Sequence, residues 1–189
     1  MKKIAIFASG SGSNAENIIR FFAKNPEISV KSVFCNVPDA YVLERAKKYN
    51  IPTYVFNREE MKNPDKVLRL LQDQCIDFIV LAGFLWLMPS CITTVYPNRI
   101  VNIHPALLPN YGGKGMYGER VHQAVIAAGE KESGITIHYV NDHYDEGTTI
   151  FQAHCSITPE DTPETLATKV HALEYEHFPR VIGEVISKI

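Results

Sequence analysis

The chain has 189 residues, with 19 Lys and Arg against 21 Asp and Glu, a formal net charge of −2 with neutral histidines. At 46% hydrophobic and 21% charged residues it has the composition of an ordinary globular chain, long enough to bury a sizeable core. The near-balanced charge gives no electrostatic case for a nucleic-acid partner, and no apolar run approaches the roughly 18 residues a membrane span needs.

Met1-Lys2-Lys3 leads directly into Ile4-Ala5-Ile6-Phe7-Ala8, a continuously apolar run typical of a strand buried on both faces. Without a signal-peptide apolar core or cleavage site, a cytoplasmic protein is expected. Ser9-Gly10-Ser11-Gly12-Ser13-Asn14 follows, then a helical pattern on Ile18, Ile19, Phe22 and Ala23. Val30 to Cys35 is a second strand, Asp39 to Tyr49 a helix, and Pro52 to Phe56 a short strand. Glu59 to Gln74 reads as helical through Val67, Leu68, Leu70 and Leu71, with Pro64 at a break or at the true start. Ile76 to Phe84 is the strongest strand signal, and a short helix is expected after Pro89. Arg99 to His104 forms another strand, stopped by Pro105. The alternation of strand and helix predicts right-handed βαβ units, hence a Rossmann-like α/β fold: a mostly parallel twisted sheet flanked by helices.

The second half changes character. Asn110 to Gly118 is glycine-rich, and Glu119 to Ala128 reads as a helix. Gly134 to Val140 and Thr149 to Ile157 are close enough in sequence for an antiparallel extension of the sheet. Thr162-Pro163 caps a last helix carrying Leu166, Val170, Leu173, Val181 and Val185, which Pro179 is expected to kink or divide. No linker or repeat interrupts the pattern, so residues 1–189 are read as one domain.

Three groups of residues could carry chemistry. Gly10-Ser11-Gly12-Ser13-Asn14-Ala15 fits a permissive GxGxxG/A turn between strand and helix, where free N–H groups and the positive helix end suit a phosphate. A dinucleotide would need a carboxylate at the end of the second strand, but Phe34-Cys35-Asn36-Val37-Pro38 has none before Asp39. A monophosphate is therefore favoured over NAD, against a tight turn with no ligand. Asn102 and His104, two apart at a strand exit, offer an amide donor and a side chain that titrates near neutrality. A carboxylate from Asn141-Asp142-His143-Tyr144-Asp145-Glu146-Gly147 could orient the imidazole and raise its pKa. Asp145 is the best placed, with Asp142 and Glu146 still open.

Other chemistries are weaker. No Ser or Cys sits in a nucleophile elbow, and Cys35, Cys75, Cys91 and Cys155 form no CxxC pair. His138 and His143 lack a nearby third metal ligand, and His171 and His177 read as helix-surface residues. What remains suits direct transfer between two bound substrates, with His and Asn stabilising an oxyanion.

Taken in order, Gly10-Ser11-Gly12-Ser13-Asn14, Leu81-Ala82-Gly83-Phe84, Asn102-Ile103-His104-Pro105-Ala106-Leu107-Leu108-Pro109 and Asp145-Glu146-Gly147 resemble the glycinamide ribonucleotide formyltransferases of purine biosynthesis. The resemblance runs the length of the chain. It implies a formyltransferase fold and formyl transfer from 10-formyltetrahydrofolate, as cosubstrate, to the amine of glycinamide ribonucleotide. It assigns Asn102, His104 and Asp145 to catalysis, and Gly12, Ser13 and Asn14 to the substrate phosphate. Glu174 falls to the amine-bearing side of the substrate, and Arg58, Leu85, Trp86, Leu87, Met88, Asn102 and Asn141 to the folate. No metal and no NAD are implied. Two small-molecule substrates are, with no nucleic acid or membrane, in a monomer or homodimer. The chain departs from the family at Trp86, where familiar members often carry Arg, and at Glu146, where Asp-Gly-Gly is more usual. Within the wider group, a tRNA formyltransferase would need a further tRNA-holding domain, and a formyltetrahydrofolate hydrolase an N-terminal regulatory one. A nucleotide-binding module without catalysis would not need Asn102, His104 and Asp145 together.

Overall fold

A computed structural model describes residues 1–189. The strands are β1 (Lys2–Ala8), β2 (Ile28–Cys35), β3 (Thr53–Val55), β4 (Phe78–Leu81), β5 (Ile100–His104), β6 (Glu132–Tyr139) and β7 (Thr149–Ser156). The helices are α1 (Ser13–Phe22), α2 (Tyr41–Lys48), α3 (Arg58–Lys62), α4 (Asp65–Asp73), α5 (Ser90–Val95), α6 (Glu119–Ala127) and α7 (Pro163–Ile186). All seven strands form one sheet in the order β3-β2-β1-β4-β5-β6-β7. The first five are parallel, and β6 and β7 add antiparallel to β5. This is the expected Rossmann-like sheet with its antiparallel extension. The chain runs outward from β1 to β3 and then returns to place β4 on the other side of β1, so the strand order reverses between β1 and β4. That is the position at which an open α/β sheet leaves a crevice beyond its carboxyl ends.

The core follows from the alternation of side chains along buried strands. Ile4 to Ala8 are fully buried. Ile4, Ile6 and Ala8 face a layer built by α1, α2, α6 and α7, through Ile18, Val42, Val121 and Phe178. Ala5 and Phe7 face the other layer, with Met61, Leu71 and Ile92 from α3, α4 and α5. Phe7 stacks on Phe34 with ring centroids 4.8 Å apart. No helix is long and apolar enough to cross a membrane.

Not every boundary follows expectation. The helical stretch over 59–74 does break at Pro64, as expected, into α3 and α4 with Pro64 at the N-cap of the second; a residue without an N–H starts a helix readily but does not continue one. Asn57 opens α3 with a reciprocal capping box to Glu60, both bonds at 3.0 Å. The strand read over 76–84 is only β4, because the chain turns out at Gly83 with φ +72°. Pro179 does not divide α7. The proline leaves the Tyr175 carbonyl, four residues back, without its helical donor, and Asn17 Nδ2 from α1 donates to that carbonyl at 2.9 Å. A neighbouring helix thus supplies the hydrogen bond that the local sequence removes.

Candidate active site

A cavity of about 890 Å³ opens at the carboxyl ends of β1, β4 and β5, beside the reversal of strand order. Gly10 to Asn14 form one end of it. Gly12 takes φ +73° at the N-cap of α1, and a Cβ there would collide with Val42 of α2. Glycine is therefore required both by the backbone and by the close approach of α2. The result aims the first N–H groups of α1 into the cavity, an arrangement suited to an anion. Ser9, buried just before this loop, donates its hydroxyl to Asn36 Oδ1 at 2.6 Å and accepts from Leu85 N at 3.1 Å. The end of β2 thus carries an amide that braces β1, where a ribose-binding carboxylate would otherwise sit.

At the centre, β5 pairs with β6 so that Asn102 lies opposite His138, and His104 opposite Thr136. Thr136 is fully buried; its hydroxyl donates to Ala106 O at 2.7 Å and accepts from Leu108 N at 3.0 Å, fixing the chain as it leaves β5. Asp145 reaches into the same place from the β6–β7 connection with φ +57°, a conformation that Asp and Asn tolerate better than most residues. Gly147 makes this loop possible, since a Cβ there would overlap the Tyr139 carbonyl. Asp145 Oδ2 accepts from Gly113 N at 2.9 Å and lies 3.5 Å from His104 Nδ1. Its Oδ1 lies 3.4 Å from Asn102 Nδ2 and 3.6 Å from His138 Nε2. The two competing carboxylates are elsewhere: Asp142 accepts from Thr93 Oγ1 at 2.6 Å, and Glu146 is exposed.

Protonation states follow from what each ring nitrogen faces. His104 Nε2 is 2.8 Å from the Tyr111 carbonyl, which can only accept, so Nε2 keeps its hydrogen and Nδ1 is the nitrogen free to exchange a proton. His138 Nδ1 likewise faces the Tyr139 carbonyl at 2.8 Å, which leaves Nε2 to accept from Asn102 Nδ2 at 3.1 Å. A carboxylate beside His104 is expected to raise its pKa, yet the net shift is downward. Burial of the 3%-exposed imidazole outweighs the opposing pull of Asp145 and the Tyr111 carbonyl. His104 is therefore neutral in the free protein at neutral pH. Burial alone would raise the Asp145 carboxyl, but the His138 and His104 rings, in their protonated forms at the acid pH where a carboxyl titrates, and the Gly113 N–H together hold it below its ordinary value. The site pairs a buried neutral base with an ionised carboxylate 3.5 Å away.

The other predicted residues divide. Arg58, Leu85, Trp86 and Glu174 line the cavity, with the Arg58 guanidinium 5.7 Å over the Trp86 ring. Met88 is 1% exposed and packs in the core beneath it. Neither Leu87 nor Asn141 lines the cavity; Leu87 N donates to the Tyr144 hydroxyl at 3.0 Å, and Asn141 Oδ1 accepts from His143 N at 3.0 Å. The Leu87–Tyr144 bond, with that from Thr93 to Asp142, ties the 85–93 wall to the 141–147 loop, while the Asn141 bond is internal to the loop. Sequence reasoning missed His138 and His122 at the site, and reached His171 only by resemblance, as the neighbour of Glu174, while its spacing read as helix surface. His138 could be found only through strand register, and His122 only once α6 is packed against the cavity. His171, read as a surface residue, is half exposed but lines the cavity, where it meets Glu174. No group of three or more His, Cys, Asp or Glu side chains is arranged to hold a metal ion.

A family model described as "Formyl transferase" matches residues 2–182. The phosphoribosylglycinamide formyltransferase of Bacillus subtilis is 36% identical, the match covering 98% of this chain and 95% of that protein. A chloroplastic phosphoribosylglycinamide formyltransferase of Arabidopsis thaliana is 38% identical over 97% of this chain, which spans only 65% of its length. Among solved structures, the phosphoribosylglycinamide formyltransferase of Bacillus halodurans superposes with a TM-score of 0.90 at 39% identity, covering 99% of this chain and 96% of that one.

Proposed function

The chain belongs to the formyl transferase family, and on that premise we propose that it transfers the formyl group of 10-formyltetrahydrofolate to the primary amine of glycinamide ribonucleotide in purine biosynthesis. The observation that carries this reading is the cavity itself: the Gly10–Asn14 anion loop and the Asn102–His104–Asp145 cluster line one continuous space. At about 890 Å³ it is near the upper end of the roughly 300–1,000 Å³ of ligand pockets and has room for two substrates to meet. We read residues 1–189 as one formyltransferase domain, acting in the cytoplasm on small-molecule substrates as a monomer or homodimer.

The geometry supports a direct transfer. With its phosphate on Gly12, Ser13 and Asn14, the substrate directs its amine toward the formyl carbon beside His104. As the new C–N bond forms, the carbonyl electrons move onto oxygen and the nitrogen becomes acidic. Neutral His104 takes that proton on Nδ1, and the imidazolium is stabilised by Asp145 at 3.5 Å. Asn102 Nδ2 has two hydrogens; giving up the long 3.4 Å contact with Asp145 frees one for the oxyanion, while His138 keeps the other. Collapse of the tetrahedral intermediate restores the carbonyl and breaks the bond to the folate nitrogen, which takes the proton from His104 Nδ1. No net proton is consumed by the protein. Arg58, Leu85 and Trp86 form the wall left for the folate.

The experiment is to mix purified protein with both substrates and follow tetrahydrofolate. Release that requires the ribonucleotide is expected; release at an equal rate without it would move the reading to a hydrolase.

A further inference from the structure

The glycine loop carries carbonyls as well as N–H groups, and the carbonyls of residues 10–12 each have a donor. Gly10 O accepts from Val42 N at 3.1 Å, Ser11 O from Arg45 Nε at 2.9 Å and Gly12 O from Glu16 N at 2.8 Å. Two of these donors are backbone groups of α2 and α1; the Ser11 carbonyl alone is held by a side chain. Arg45 does not line the cavity. It lies on α2 with its guanidinium 4.9 Å over the Tyr41 ring, and its Nη1 pairs with Oε2 of Glu16, in the first turn of α1. Tyr49, at the C-cap of α2, donates to Glu16 Oε1 at 3.1 Å, so both oxygens of this carboxylate are engaged. Glu16 occupies the positive end of the same helix that an anion would use, where a carboxylate and a phosphate compete. Its neutralisation by Arg45 therefore bears on anion binding.

We propose that Arg45 is a positioning residue for the phosphate of the amine substrate, acting from outside the cavity through Ser11 and Glu16. The proposal rests on the functional reading above and adds a residue to it. Arg45 does two things at once. It holds the Ser11 carbonyl on the α2 side of the loop, so that the loop presents donors to the anion, and it cancels the charge of Glu16 beside those donors. A guanidinium suits this task, because one rigid, permanently charged plane reaches both partners. The pair is sheltered, with side chains 24% and 17% exposed, so its charges are less screened by water and salt than those of an open surface pair. Without Arg45, a freed carbonyl and an uncompensated carboxylate would both oppose the phosphate.

The test uses the full-length protein and steady-state kinetics with each substrate varied in turn. Arg45→Met keeps an apolar stem against Tyr41 and removes the guanidinium. Its KM for glycinamide ribonucleotide is expected to rise roughly tenfold, the loss of one charge-assisted hydrogen bond. The KM for 10-formyltetrahydrofolate should stay put, and kcat should change less than KM. Arg45→Lys, which can neutralise Glu16 but lacks the planar fork, should recover part of the affinity. Glu16→Gln added to Arg45→Met removes the unpaired charge, so the KM for the ribonucleotide should fall back several-fold. A merely structural brace predicts the reverse, because the second substitution also weakens the bond from Tyr49. An unchanged KM for the ribonucleotide in Arg45→Met would overturn the proposal. So would a double variant no better than Arg45→Met, or a matched rise in both KM values with a lowered Tm. Absent turnover by the unmodified protein would instead overturn the functional reading, so the two failures are distinguishable.

Discussion

His104 is neutral because it is buried, and Asp145 reduces that effect without reversing it. The sign of the pH dependence follows. With His104 as the proposed base, its protonation in the free protein removes the base, so kcat/KM should fall as pH drops through a pKa below the ordinary value of about 6.5. Asp145→Asn removes a contribution that raises this pKa, so the acid limb should move to lower pH while the rate falls. A pH–rate profile measures both, and an unmoved limb would detach Asp145 from His104. His104→Ala should lose about 10²–10⁴ in kcat, the usual contribution of a positioned acid–base group, while inorganic phosphate still binds at the glycine loop. Asn102 and His104 were visible in the sequence because residues two apart share one side of a strand. His138 was not, because only the pairing of β5 with β6 places it opposite Asn102. Nor could spacing choose among Asp142, Asp145 and Glu146, three carboxylates on one loop whose backbone aims only the second inward.

At the scale of elements, the same limit appears as donors supplied from elsewhere. Proline at 179 reads as a helix breaker, and the local physics is correct; the orphaned Tyr175 carbonyl is satisfied by Asn17 of another helix. Asn17→Ala should therefore destabilise the protein by about 0.5–1.5 kcal/mol, more than most substitutions at the surface, read as a drop in Tm of about 2–4 °C per kcal/mol. Gly12→Ala should be severe in a different way. It strains a φ of +73° and drives a methyl into Val42, so both stability and phosphate binding should fall. That glycine was legible from its place in the loop, but its contact with α2 was not. The split of α3 from α4 at Pro64 was half legible, since proline marks a boundary without saying on which side the helix lies.

For the whole molecule, strand order places the cavity. The reversal between β1 and β4 opens the crevice, the turn after β1 supplies the glycine loop, and the exit of β5 supplies Asn102 and His104. The antiparallel pair β6–β7 brings His138 and Asp145 onto that exit, and Thr136 fixes it. α6 and α7 close the cavity with His122 and Glu174. The alternation of strands and helices conveyed this α/β class, but the residues of α6 and α7 that line the cavity depend on packing across the sheet. On the proposed function, one cavity passes a formyl group directly between two bound molecules. The most direct test is to supply 10-formyltetrahydrofolate labelled with ¹³C in the formyl carbon and locate the label after turnover. Label is expected in the N-formyl ribonucleotide, matched one to one by tetrahydrofolate. Label released as free formate, at the same rate with or without the amine substrate, would contradict it.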